Sequence, residues 1–222
     1  MRKLIALFPL TLLLISCRIG TQPANEQTYT YNIVDTNVED CFSNNSVISC
    51  PSQGESFYGQ DAHYQGNVPS YIDNGDGTIT DNVTGLMWQS DMGEKITFSE
   101  AITIAETLIL GGYDDWRVPT IKELYSLILF TGSNGDGIEE NTYVRYIGIN
   151  YFLQPFGDQG NGERIIDAQT WSATEYVGTT MNGDATVFGV NFIDGRIKGY
   201  PRYIPGTQTE NTAYFRFVRN NN

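Results

Sequence analysis

Histidine is almost missing from this chain: His63 is the one imidazole in 222 residues. Zinc centres and general-base chemistry that rely on imidazole therefore have little to work with. No Ser-His-Asp or Cys-His constellation can be assembled around a single ring, so the chain reads as non-catalytic. Basic residues are scarce too, 13 Lys and Arg against 26 Asp and Glu. That balance repels polyanions, and nucleic acid is excluded as an expected partner. Cysteine is limited to three residues. No repeat of solenoid type runs through the sequence, since the recurring Asn-Gly-Asp units keep no fixed period.

What is present begins with a leader. Arg2 and Lys3 precede an apolar stretch from Leu4 to Ile15, too short to span a bilayer as a stable helix. It ends in Leu14-Ile15-Ser16-Cys17, which resembles a bacterial lipobox, with cleavage before Cys17 and lipid on its thiol; the alternative is an ordinary export signal with an incidental cysteine. Several acyl chains on Cys17 would anchor the protein stably to a membrane. Arg18 next to it suits sorting to the outer membrane, so the cell envelope is the expected location. Loss of Arg2 and Lys3 leaves 11 basic against 26 acidic residues, a mature charge of about −15.

The remaining cysteines, Cys41 and Cys50, stand in CFSNNSVISC. In the oxidising compartment beyond an export signal, a disulfide between them is expected. The resulting plan has four parts: signal peptide over 1–16, lipidated tether over 17–30, a disulfide-pinned loop-rich subregion over 31–68, and a main domain over 69–222.

The stretch DNGDGTITDNVTGLMW, Asp73 to Trp88, is rich in oxygen ligands. An EF-hand loop needs oxygen donors at positions 1, 3 and 5, Gly at 6 and Glu at 12. Counted from Asp73, Gly75 and Gly77 fall at positions 3 and 5 and Thr84 at 12; counted from Asn74, Ile79 falls at 6. Neither register works. Asn74-Gly75 and Asp76-Gly77 instead predict tight turns between strands, with Leu86, Met87 and Trp88 entering the core.

Two helices are expected next. Phe98, Ala101, Ile102, Ala105, Leu108 and Ile109 carry helical spacing from Thr97 to Leu110, and Thr97 with Glu100 has the spacing of a capping box. Thr120 and Glu123 repeat that spacing, and Ile121, Leu124, Tyr125 and Ile128 extend an apolar face toward Gly132. Residues 131 to 168 read as a long polar loop region, the kind that is often functional. Strands are predicted over Thr170 to Tyr176, Thr186 to Phe192, Arg196 to Tyr200 and Ala213 to Arg219, with Asp194-Gly195 turning a hairpin.

The segments DNGDGTITDNVTGLMWQ, LGGYDDWRVPTIKELYSL, WSATEY, VFGVNFIDGRIKGY and YFRFVR, in that order over residues 69 to 219, resemble the Lcl C-terminal domain family, named for collagen-like bacterial adhesins. The resemblance implies an α+β, C-type lectin-like fold, with two amphipathic helices packed on short antiparallel sheets and a long loop region. It implies recognition of a glycan or protein ligand at the cell surface. The alternative is a structural or assembly subunit of an envelope complex without a glycan ligand. The named adhesins are thought to bind sulfated glycosaminoglycans, but this chain has no Gly-X-Y tract and is strongly acidic. Relatives of the fold that generate formylglycine use paired cysteines in the core domain, whereas Cys41 and Cys50 precede it.

Candidate site residues follow from this plan. Asp136, Glu139, Glu140, Asp158, Glu163 and Asp167 supply the oxygens calcium would want, against a bland reading as a solvated acidic loop. Gln154-Pro155-Phe156 lacks the second carbonyl side chain of a lectin calcium site. Tyr143, Tyr146 and Tyr151 are candidate ligand platforms in polar surroundings, against ordinary loop packing, while Trp88, Trp116 and Trp171 read as core anchors, the alternative being a sugar-stacking platform. Arg196, Lys198 and Arg202 alternate along one strand, and with Arg216 and Arg219 on a neighbour they would form a local anion site.

Overall fold

The computed structural model describes residues 32–180 and 183–221. The leader, Cys17 and the tether fall outside the described residues. Residues Tyr31–Asn222 form one compact unit. Its class is α+β, with four small antiparallel sheets and two short α-helices among the described residues. None of the described helices is long and apolar enough to cross a membrane.

The first strands, β1 (Cys41–Phe42) and β2 (Val47–Ile48), make a minimal hairpin closed by the expected Cys41–Cys50 disulfide. The subregion is tied to the rest through the backbone: Phe130 N–H donates to Thr36 O at 3.0 Å. The main sheet orders β11 (Val218–Asn220), β5 (Leu86–Gln89), β4 (Thr78–Asp81) and β3 (Tyr71–Asp73), all antiparallel. A second sheet runs β7 (Thr170–Glu175), β8 (Thr186–Asn191), β9 (Arg196–Pro201). Strand β6 (Ile96–Thr97) pairs with β10 (Thr212–Ala213).

The turns at Asp73 to Gly85 are as the sequence predicts. Strands β3 and β4 pair around Asn74 to Gly77, and Gly75 and Gly77 take positive φ. The β4–β5 and β8–β9 hairpins share one device. Four residues separate the partners Asp81 and Leu86, and four separate Asn191 and Arg196. In each loop the last residue is a glycine at φ +70, whose N–H returns to the carbonyl that opens the turn. The opening side chain also caps the turn: Asp81 Oδ1 accepts from Val83 and Thr84 N–H, and Asn191 Oδ1 from Ile193 N–H.

Both helices start where expected and stop early. Helix α1 covers Phe98–Ala105 and α2 covers Ile121–Tyr125, each behind a complete capping box, Thr97 with Glu100 and Thr120 with Glu123. The sequence extends them to Leu110 and Gly132. In the structure Thr107 turns its hydroxyl back onto Thr103 and Ile104 carbonyls, and Leu110 pairs instead with Tyr113. At α2, the Ser126 hydroxyl takes the Glu123 carbonyl at 2.7 Å. The predicted strand over Ala213 to Arg219 is also divided. Tyr214 to Phe217 lie buried between β10 and β11, which belong to different sheets, and a run buried on every side has no period-2 alternation to follow.

The core is in three contiguous parts. Trp88, Leu124, Phe152 and Phe192 lead one, Trp116, Trp171 and Phe215 a second, and Met92, Ile165 and Tyr214 a third. All three tryptophans are buried, as their motifs imply. Among these apolar groups sits Arg216, fully buried, whose guanidinium donates to the carbonyls of Gln89, Ser90 and Leu153 and lies over the Phe152 ring. Burial pushes its pKa down to about 9, against a weaker opposing pull from Asp91.

Candidate functional site

The six acidic candidates of the 131–168 region are not brought together. Among the described residues no three carboxylates offer oxygens within 4.8 Å of one another. Asp136 spends one oxygen on its own loop, accepting from Ile138 and Glu139 N–H and the Thr142 hydroxyl. Those donors, the Glu139 N–H first, hold its carboxyl below the usual range. Asp158 caps Asn161. Glu163 pairs with Lys95 at 2.5 Å, and Asp167 with Arg164 at 2.6 Å. Glu139 and Glu140 face solvent. The one convergent trio, Cys41, Cys50 and His63, has its sulfurs joined in the disulfide.

The loop tyrosines are packing residues. Tyr143 packs edge-on against Phe156, with ring centroids 6.0 Å apart, and Arg145 stacks on the same Phe156 ring. Tyr151 lies against Tyr71. Tyr146 is held between two glycines: a Cβ on Gly132 would sit 2.4 Å from its ring, and one on Gly195 2.7 Å. Its half-buried ring thus staples the long loop region to the β8–β9 turn.

The basic candidates are paired. Arg196 and Lys198 both reach the buried Asp194 carboxylate at 3.2 Å. Arg202 lies six residues further on, where it bonds Glu210 at 2.7 Å and covers the Phe98 ring. Arg219 is buried against Asp115 and Tyr113, and Arg216 is in the core. The anion site expected from these arginines is therefore not formed, because each cation turns inward or onto a carboxylate.

One concave surface, of about 400 Å³, lies in the N-terminal subregion beside Asp35, Glu39 and His63, and others lie at the far end of the β7–β8–β9 sheet. Residues alternate faces along a strand, and Phe188 stands opposite Gly199 on one face while Val187 stands opposite Tyr200 on the other. On the Phe188 face a groove of about 520 Å³ is lined by Tyr176, Thr180, Asp184, Thr186, Phe188, Gly199 and Pro201. Tyr176 is 44% exposed and meets Phe188 edge to face at 6.2 Å. Gly199 keeps the floor flat, since a Cβ there would press within 2.8 Å of the Thr186 methyl. On the Tyr200 face a smaller pocket of about 190 Å³ is lined by Gln169, Trp171, Tyr200, Pro201, Asn211 and Thr212. Pro201 borders both cavities. Of these residues the sequence singled out Trp171 alone, as a core anchor with a sugar-stacking platform as the alternative. The signal available was the period-2 pairing of Phe188 with Gly199 in a predicted hairpin, an aromatic beside a bare backbone.

The domain is an α+β unit with aromatic-lined concavities on both faces of one sheet end. The sequence model of the Lcl C-terminal domain matches residues 77–219, and the chain belongs to that family. The match opens inside the β3–β4 turn and closes in β11, so strands β4 to β10 and both helices lie within it. No curated protein and no solved structure matches the chain.

Proposed function

We propose that the protein is a lipid-anchored cell-envelope component whose Lcl C-terminal domain, C-type lectin-like in its arrangement, recognises a surface glycan without catalysis. The anchor rests on Leu14-Ile15-Ser16-Cys17 and the outer-membrane location on Arg18. The observation that carries the ligand reading is the groove. An exposed Tyr176 ring beside Phe188 offers an apolar face to the C–H side of a sugar, and the Thr180 and Thr186 hydroxyls with the Asp184 carboxylate form a polar rim. That mixture of one aromatic platform and a few polar groups is how small polar rings are oriented in concave sites.

The electrostatics favour a neutral or hydroxyl-rich ligand over a sulfated one. The chain carries a formal charge of −13, and Arg196, Lys198, Arg202 and Arg216 are engaged by carboxylates or backbone. The acidic loops contribute to specificity by repelling anionic partners. Catalysis is not proposed, because His63 is held between Pro51 O and the disulfide in a loop-rich subregion.

A glycan array probed with the full-length protein, with and without EDTA, tests this reading. Binding to neutral glycans that persists in EDTA and falls at least tenfold in Tyr176→Ala supports it. Absence of glycan signal in both conditions overturns it in favour of a structural or assembly role.

A further inference from the structure

Residues 32–68 hold their shape without a core. Among them only Cys41 is buried. Local bonds do the holding: the Cys41–Cys50 disulfide, the β1–β2 hairpin, and the Gln60 amide, which accepts from Phe42 N–H at 2.9 Å and donates to the Phe42 and Phe57 carbonyls at 2.8 and 2.7 Å. One side chain thus brings the backbones of Phe42 and Phe57 together. Val47 is the cross-strand partner of Phe42 and shares its face of the hairpin. Phe57 stands at φ +69, a left-handed backbone that a bulky residue keeps only where surrounding bonds impose it. Burial does not offset that strain. Phe42, Val47, Phe57 and Tyr58 are 42–59% exposed, and Tyr64, whose hydroxyl would lie 3.9 Å from a Cβ on Gly59, is 63% exposed. Apolar groups fixed together in water mark a docking surface.

We propose that the face carrying Phe42, Val47, Phe57 and Tyr58 docks on the zwitterionic lipid surface in which Cys17 is anchored, its rings entering the headgroup boundary. The inference rests on the lipid anchor of the proposed function and is independent of the glycan reading. Chain length brings the two together: only residues 18–31 separate Cys17 from Asn32, and a flexible chain of that length spans about 20 Å. Composition selects the kind of surface. No Lys or Arg lies between Arg18 and Lys95, whereas Asp35, Glu39, Asp40, Glu55 and Asp61 all fall within residues 32–68. A second copy on the patch would set these carboxylates against their equals, and anionic lipid would be repelled too. Choline and ethanolamine headgroups instead present an ammonium outward. Asp35, Glu39 and Tyr64 line the cavity of about 400 Å³ in this subregion, so negative charge stands where those groups would meet it. Tyrosine, with an apolar ring and a polar tip, suits the boundary between headgroup and acyl chain. Docked in this way, the domain keeps one orientation over the membrane rather than swinging on its tether.

The test uses the full-length chain from a bacterial host, reconstituted in nanodiscs of phosphatidylethanolamine and phosphatidylcholine, with acylation of Cys17 read by mass. Phe57→Trp and, separately, Phe42→Trp place a 5-fluorotryptophan in the patch, and the ¹⁹F resonances of the buried Trp88, Trp116 and Trp171 report that each variant is folded. Val177→Trp, at a fully exposed position outside the patch, is the solvent reference. The expected result is that a nitroxide-labelled lipid broadens the resonances at positions 57 and 42 at least threefold more than that at 177, while a soluble gadolinium chelate broadens them at least threefold less. Val47→Asp, added to Phe57→Trp, should remove most of the lipid effect, and replacing half of the phosphatidylcholine with phosphatidylglycerol should reduce it. On an acylated chain, resonances at 57 and 42 that respond to both agents as position 177 does overturn the docking and leave the anchor intact. Shielding from the chelate without broadening by the lipid overturns it in favour of a protein cover, a second copy included. A Cys17 without acyl mass overturns the anchor, and this inference with it, while the groove reading stands.

Discussion

Arg216 occupies a position where an apolar side chain would ordinarily be cheaper. Desolvating a charge costs several kcal/mol, and its three backbone bonds, to the carbonyls of Gln89, Ser90 and Leu153, offset that cost. The side chain thereby ties the end of β5 to the loop at Leu153. Arg216→Met keeps much of the volume but removes three charge-assisted bonds to buried carbonyls, so we expect a loss of about 3 kcal/mol. A urea titration should show a lower midpoint at unchanged slope. A change below about 0.5 kcal/mol would mean that the cost of the buried charge cancels its bonds. Lysine at this position should restore little, because a point charge cannot fork to carbonyls on two segments. None of this was legible in the sequence. An arginine in YFRFVR reads by alternation as a solvent-facing strand residue, and only the arrival of β5 and the Leu153 loop from far along the chain supplies its acceptors.

At the scale of elements, the paired hairpins offer a controlled comparison. Gly85 and Gly195 share φ +70 and the same place in a four-residue loop, but nothing lies within 4 Å of a Cβ built at Gly85, whereas Tyr146 lies 2.7 Å from one at Gly195. Gly85→Ala should cost only the left-handed backbone strain, about 1 kcal/mol. Gly195→Ala adds displacement of a ring already confined by Gly132, and should cost about 1–2 kcal/mol more. Thermal unfolding of the two variants checks this, and equal losses would show that the Tyr146 staple yields freely. The turns themselves were readable, since Asn-Gly and Asp-Gly pairs need so specific a backbone. The helix starts were readable for a similar reason: a capping box is a local device. The helix ends were not, because the apolar spacing of Leu108 and Ile109 continues beyond the point where hydroxyls and bridges take over the backbone, and Ile109 ends up exposed. The packing of Tyr146 was not readable on the same ground, as the glycines that clamp it are distant in sequence or on another element.

For the whole molecule, two electrostatic effects oppose each other as pH falls. A formal charge of −13 repels itself at neutral pH, and protonation relieves that strain. Against this stand carboxylates whose folded pKa lies below its ordinary value. Burial works to raise Glu123, but the Arg117 fork, at 2.7 and 2.8 Å, and the Thr120 cap outweigh it. Glu210 is likewise lowered against burial by Arg202 and Ser99, and Asp167 is lowered by Arg164. A depressed carboxylate contributes stability that is fully present above its unfolded pKa, about 4 to 4.5, and is lost as pH falls through the folded value. The two effects therefore act in different windows. The urea midpoint should stay level or rise slightly from pH 7 to about 5, then fall steeply below about 4.5. Added salt should raise the midpoint at pH 7, where long-range repulsion between exposed charges is screened. Glu123→Gln should start lower at pH 7 and fall more shallowly in acid, since one proton-linked group has been removed from the heart of the fold. Glu123 is the decisive choice because it closes the α2 capping box while holding Arg117, whose backbone pairs with Val218 of β11. A midpoint that climbs steadily to pH 3.5 would show instead that self-repulsion governs the molecule and that these pairs contribute little.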